Sequence, residues 1–143
     1  MSKLTEHILS KYYGIKEFKG KTENSPTIMA WKKKVIPHST YDEQYSWCAI
    51  FIHNMLDEVG LITLPLSEAA GARNYLKLGI EVTEPVLGDL VVFKRGTGWQ
   101  GHVSTFIRES ADGKIWVLGG NQSDAVNISA YSKASLLGYR RVT

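Results

Sequence analysis

Gly88 divides the chain into two kinds of sequence, and that division limits the fold more than any other feature. Before it, apolar residues recur at helical spacing. After it they come in short β-branched runs closed by turn residues. Leu4, Ile8, Leu9, Tyr12 and Tyr13 mark a first helix, ended by Gly14. Residues 19–27 read as a loop, and a short helix starting at Ile28 runs into Lys32-Lys33-Lys34, expected as a solvated helix end. Cys48, Phe51, Ile52, Met55, Leu56 and Val59 give a wide apolar face to a central helix over 46–59, with Ser46 as its cap and Gly60 as its end. A further helix is expected over 68–78, with Ala69, Ala72, Tyr75 and Leu76 inward. Strands are expected over 90–93, 103–107, 115–118, 126–128 and 139–142, with a hairpin turn at Ala111-Asp112-Gly113. Helices first and an antiparallel sheet afterwards make an α+β fold.

The 143 residues suffice for one domain with its own core, spanning 1–143. A net charge of +3 selects no particular partner, though it suits an acidic polymer such as bacterial cell wall. The chain holds a single cysteine, so it forms no internal disulfide. The first residues lack an apolar signal-peptide core, and no run is long enough to span a membrane. The expectation is a protein made in the cytoplasm without a signal peptide, acting in the periplasm or wall after release.

The lone cysteine sits in Tyr45-Ser46-Trp47-Cys48-Ala49-Ile50-Phe51, at the start of the central helix. Free backbone N–H groups and the positive dipole end there favour a thiolate. Downstream come Gly101-His102-Val103, opening a strand, and Gly119-Gly120-Asn121-Gln122, ending the next. A Cys, then a His, then an Asn is the order of parts in papain-like cysteine hydrolases. An imidazole needs an acceptor on one nitrogen so that the other faces the nucleophile, and an Asn carbonyl supplies it without charge. Each residue also has a bland reading: buried core cysteine, hydrogen-bonded strand histidine, turn asparagine. His53 lies in the cysteine's own helix, five residues on, and points away from it.

Two other signals point elsewhere. Gly96-Thr97-Gly98-Trp99-Gln100-Gly101 has the GxGxxG spacing but leads into a strand, so no helix N-terminus is available for a pyrophosphate. It reads as a mobile loop bordering the site. No HExxH or Cys/His ligand spacing is present, so no metal site is expected.

The ordered set resembles the NlpC/P60 and CHAP superfamily of papain-like peptidoglycan hydrolases, and within it a small phage endolysin-like group. The resemblance runs from Tyr13-Gly14-Ile15 through Trp47-Cys48-Ala49, Gly88-Asp89-Leu90, Gly101-His102-Val103 and Gly119-Gly120-Asn121-Gln122 to Gly138-Tyr139-Arg140. It implies a helix opened by the cysteine and packed on an antiparallel sheet, with Cys48 as nucleophile, His102 as base and Asn121 as orienting group. The third position varies in this superfamily among His, Asn, Gln and an acid. Gln44, Tyr41 and Tyr45 remain open as side-chain donors to the oxyanion. Trp47, Trp99, Tyr45 and Gln44 are expected to contact substrate.

The implied activity is cleavage of an amide bond of peptidoglycan, in the stem peptide rather than at its sugar attachment, without cofactor. The expected partner is peptidoglycan, with no nucleic acid, no stable membrane insertion and a monomeric chain. The same chemistry would serve an injected interbacterial toxin or a phage tail-associated lysin. A non-catalytic wall-binding module is the alternative of another class.

Overall fold

The computed structural model describes residues 2–17, 25–37, 47–96, 98 and 100–143. Three helices come first: α1 (Lys3–Lys11), α2 (Pro26–Val35) and α3 (Cys48–Glu58). A 3-10 segment (Ala72–Lys77) precedes six strands: β1 (Ile80–Val82), β2 (Leu90–Lys94), β3 (Gly101–Glu109), β4 (Lys114–Gln122), β5 (Ala125–Ser132) and β6 (Leu136–Arg141). They form one sheet in the order β1-β6-β2-β3-β4-β5, every neighbouring pair antiparallel. The helices packed on this sheet give the expected α+β architecture.

Local chemistry accounts for the element ends. Ser2 and Ser25 cap α1 and α2 by accepting from the backbone N–H groups of Thr5 and Ile28. Pro26 follows its cap, where a missing N–H costs nothing. α3 has no side-chain cap: Trp47 occupies that position and only its carbonyl is used, accepting from Phe51 N at 2.8 Å. The expected cap Ser46 lies outside the described residues.

Strand alternation sorts the core into two groups. Leu90, Val92, Val103, Leu118 and Val126 point toward the helices and pack with Ile8, Ile28, Trp31, Trp47, Phe51 and Met55. Val91, Phe93, Phe106, Ile115, Val117 and Tyr139 form a second cluster on the other face. Burial of both faces explains the unbroken apolar run of β2. Asp89, just before that strand, is buried and receives two hydrogen bonds from Arg141, at 2.9 and 2.8 Å, tying the end of β6 to the start of β2.

Three expectations change. The helix expected over 68–78 shortens to the 3-10 segment, because Gly71 is extended and the Glu68 carbonyl is taken by Gly71 N and the Asn74 side chain. Lys32 is buried rather than solvated: it follows Ile28 and Trp31 onto the inner face, and only Lys33 and Lys34 are exposed, the latter paired with Asp57. Strand β1 was not expected, being three residues long and largely exposed. It is an edge pairing to β6, and the Arg140 guanidinium bonds the carbonyls of Leu78 and Gly79 just before it, each at 2.8 Å.

Gly120 of β4 runs tightly against the start of α3. A Cβ there would lie 2.7 Å from Trp47 Cζ3 and 2.8 Å from Phe51 Cβ. Gly120→Ala is therefore expected to cost about 1–3 kcal/mol through overpacking. Urea unfolding checks this, and a midpoint equal to that of the parent chain would show that the helix yields without cost.

Candidate active site

Cys48 is the first residue of α3 and 3% exposed. The first-turn N–H groups of a helix lack intrahelical partners, so they suit a thiolate and, next to it, an oxyanion. Trp47, expected to touch substrate, is instead fully buried. Its indole N–H donates to Glu17 Oε2 at 2.7 Å, and its ring packs with Trp31 and Phe51. Its part is to fix the start of the helix. A side chain with this much apolar area and one N–H is stable inside only when that N–H finds a partner.

His102 lies near the start of β3 and is fully buried. Its ring packs in a triangle with Phe93, at 6.4 Å and nearly parallel, and Tyr131, at 5.0 Å, the latter two rings being 5.1 Å apart between centroids. Nε2 is 3.0 Å from Gln122 Oε1 and 2.7 Å from Ser104 Oγ. Nδ1 is buried and has no hydrogen-bond partner among the described residues. Burial, then the positive charge of Arg95, push the imidazole down to about 4, against the opposing pull of the Gln122 hydrogen bond.

The orienting contact expected from Asn121 is made by the next residue. A bulge between Gly119 and Gln122 explains the shift: β4 carries one extra residue against β5 there, and Asn121 has a φ of 57°. Unbroken alternation from Val117 and Gly119 would bring Asn121 onto the face of His102. The inserted residue gives that face to Gln122. Ser123 and Asp124, with φ of 53° and 63°, then make the two-residue turn into β5. Sequence reasoning missed Gln122, Ser104 and Tyr131. The shared face of His102 and Ser104 was readable from strand period, whereas the bulge was not.

Tyr131 packs against His102 with its ring tilted by 39°, and its phenol is pushed up chiefly by burial, with Arg95 opposing and a charge on Cys48 adding to the rise. Tyr75 is also raised, by burial and then Cys48. Its hydroxyl sits 2.9 Å from the Ala49 carbonyl and 2.8 Å from that of Ala69. The other described histidines lie elsewhere. His53 Nδ1 is 3.0 Å from Thr63 Oγ1, and His7 pairs with Glu58 at 2.8 Å. Tyr41, Gln44, Tyr45 and Trp99 lie outside the described residues. Among the described residues, no group of three His, Cys, Asp or Glu side chains is placed to hold a metal ion.

The CHAP domain model matches residues 40–121. The chain belongs to the CHAP family. The match spans Cys48, His102 and Asn121, and ends one residue before Gln122. CHAP domains are papain-like cysteine amidohydrolases, amidases or peptidases of peptidoglycan that work through a Cys–His pair. No curated protein matches the chain. No helix among the described residues is long and apolar enough to cross a membrane.

The depressed imidazole has a consequence for stability. An unfolded His102 takes a proton near 6.5, and the folded one only near 4. Above 6.5 neither state is protonated and the contribution is complete. As pH falls from 6.5 toward 4 the unfolded chain gains the proton first, so up to about 3 kcal/mol is lost. His102→Asn is expected to fall less steeply across that window in urea titrations at several pH values. Parallel pH dependences would show that burial does not depress this ring.

Proposed function

We propose that Cys48 and His102 are the Cys–His pair of this domain, and that the bond cut is an amide within the peptidoglycan stem peptide. The observation that carries the assignment is the unpartnered, buried Nδ1 of His102 in a ring held from its other nitrogen. The lone cysteine at the helix start is the natural recipient of that base.

In this reading the Cys48 proton passes to His102 Nδ1, and the thiolate adds to the amide carbonyl. The oxyanion is held by backbone N–H of the first turn of α3, where losing one donor costs on the order of 10²–10³ in rate. As the C–N bond breaks, His102 gives its proton to the departing amine, leaving a thioester on Cys48. Water then loses a proton to His102, attacks the thioester, and releases the carboxylate with the thiol restored. Arg95 places a positive charge beside the imidazole, which agrees with an anionic wall peptide.

We favour an endolysin-like setting, with action in the periplasm or wall after release. Lysis of outer-membrane-permeabilised cells by the added protein, but not by the Cys48 variant, supports that setting. Absence of lysis under those conditions counts against it.

Cys48→Ala and His102→Ala are each expected to abolish release of wall fragments while the protein stays folded. Iodoacetamide should alkylate Cys48 in the parent chain at least about tenfold faster than in His102→Ala at neutral pH, because the imidazole supports the thiolate. Equal rates would separate the two residues and end the assignment.

Masses of fragments released from purified wall decide the bond. Truncated stems mean an endopeptidase, intact stems a cut at the sugar link. New reducing sugar ends would point to paired carboxylates and overturn the cysteine mechanism.

A further inference from the structure

Three buried groups share protons around His102 Nε2, and their donors and acceptors can be counted. The Gln122 carboxamide nitrogen faces three oxygens: the Val117 carbonyl at 3.3 Å, the Asn127 carbonyl at 2.8 Å and Asn127 Oδ1 at 3.1 Å. Those contacts fix which end of the amide is nitrogen, so Oε1 must face His102 and Ser104. That oxygen only accepts. Ser104 Oγ is 2.6 Å from it and 2.7 Å from His102 Nε2, and a hydroxyl has one proton to give.

Suppose Nε2 carried no proton. The Ser104 proton would then satisfy either Gln122 Oε1 or Nε2, and two lone pairs would oppose each other at 3.0 Å or less in a buried place. With Nε2 protonated every contact is satisfied. Nε2–H donates to Ser104 Oγ, its shorter contact, and Ser104 passes its own proton to Gln122 Oε1.

We infer that Ser104 is a positioning residue for the reaction: with Gln122 it locks His102 in the Nε2–H tautomer and leaves Nδ1 as the base. Gly119 makes room for this arrangement, since a Cβ there would lie 2.3 Å from Ser104 Oγ and 2.9 Å from Gln122 Oε1. Asn127 backs the amide further, donating from Nδ2 to the Gln122 carbonyl at 2.9 Å while Ser129 Oγ donates to its Oδ1 at 2.7 Å. The inference rests on His102 being the base, but its first readout needs no turnover.

The test is 15N NMR of the histidine side chains in the full chain carrying Cys48→Ala at neutral pH, where no thiol can give its proton to the ring. The His102 resonance should show a protonated Nε2 and an unprotonated Nδ1. Adding Ser104→Ala together with Gln122→Met should average the two nitrogens. In the Cys48 enzyme, Ser104→Ala should lower kcat about tenfold with KM little changed, the worth of one hydrogen bond. The pair of substitutions should cost more than the product of the single effects, because each remaining acceptor covers for the other, and should reach on the order of 10³-fold or more when the tautomer is lost.

A protonated Nδ1 in the Cys48→Ala protein overturns the inference at once, whether or not the Ser104 and Gln122 variants fold. An unchanged His102 spectrum in the folded double variant overturns it as well. Loss of wall cleavage in His102→Ala tests the functional reading separately.

Discussion

Two adjacent glycines let a helix and a hydrogen-bond network share one strand. Gly120 passes beneath Trp47 and Phe51 at the start of α3, where any side chain would collide. Gly119 passes beneath Ser104 and Gln122 on the other face. With side chains at either position the strand would be too thick. The helix start would lift off, or the carboxamide would be driven from the imidazole. The candidate nucleophile's helix and the candidate base's support are thus kept close by the absence of two Cβ atoms, a use of glycine that packing rather than turn formation requires.

The electrostatics around His102 are unusual for a candidate base. Its Nε2 partners, a hydroxyl and a carboxamide, are neutral, and Arg95 adds a like charge to the protonated ring. Burial alone already opposes the imidazolium. The Gln122 hydrogen bond favours a charge on the ring, but burial and Arg95 outweigh it. In the proposed mechanism a thiolate must stabilise that charge, which couples proton transfer to the appearance of the negative charge it follows. In a dry site that coupling is strong, because both charges are poorly solvated unless they occur together.

The sequence showed the architecture more fully than the site. Among the described residues, periodicity found the three α-helices and five of the six strands, because each carries a wide apolar stripe or a β-branched run, and it placed Cys48 at a helix start. It missed β1, whose three residues bury almost nothing, and overextended the segment before it, where Gly71 breaks a helical pattern. Trp47 read as a substrate contact because it neighbours the cysteine. Its burial depends on Glu17, thirty residues earlier, a partner no local pattern reveals. Asn121 read as the orienting group from its place in the Cys–His–Asn order, and strand alternation run straight on would put it on that face. A single residue with positive φ reversed that alternation and brought in Gln122. Bulges are set by the pairing of two strands, so the sequence of one strand does not announce them.

Support for the imidazole comes from β5, the outermost strand on its side of the sheet, which supplies Asn127 and Tyr131. An edge strand is the part of a sheet most prone to fray. Here residues 14–17 secure its start. Gly14 N donates to the Val126 carbonyl at 2.9 Å, Val126 N to that of Ile15 at 2.7 Å, and Glu17 N to that of Asp124 at 3.0 Å. Lys16 completes a bridge to Ala125. The same segment presents the Glu17 carboxylate to the Trp47 indole. Four residues outside the matched CHAP span therefore hold both the strand that backs the candidate base and the tryptophan that precedes the candidate nucleophile. Displacing that segment would loosen the two halves of the site together, because the edge of β5 and the start of α3 share it as a common anchor.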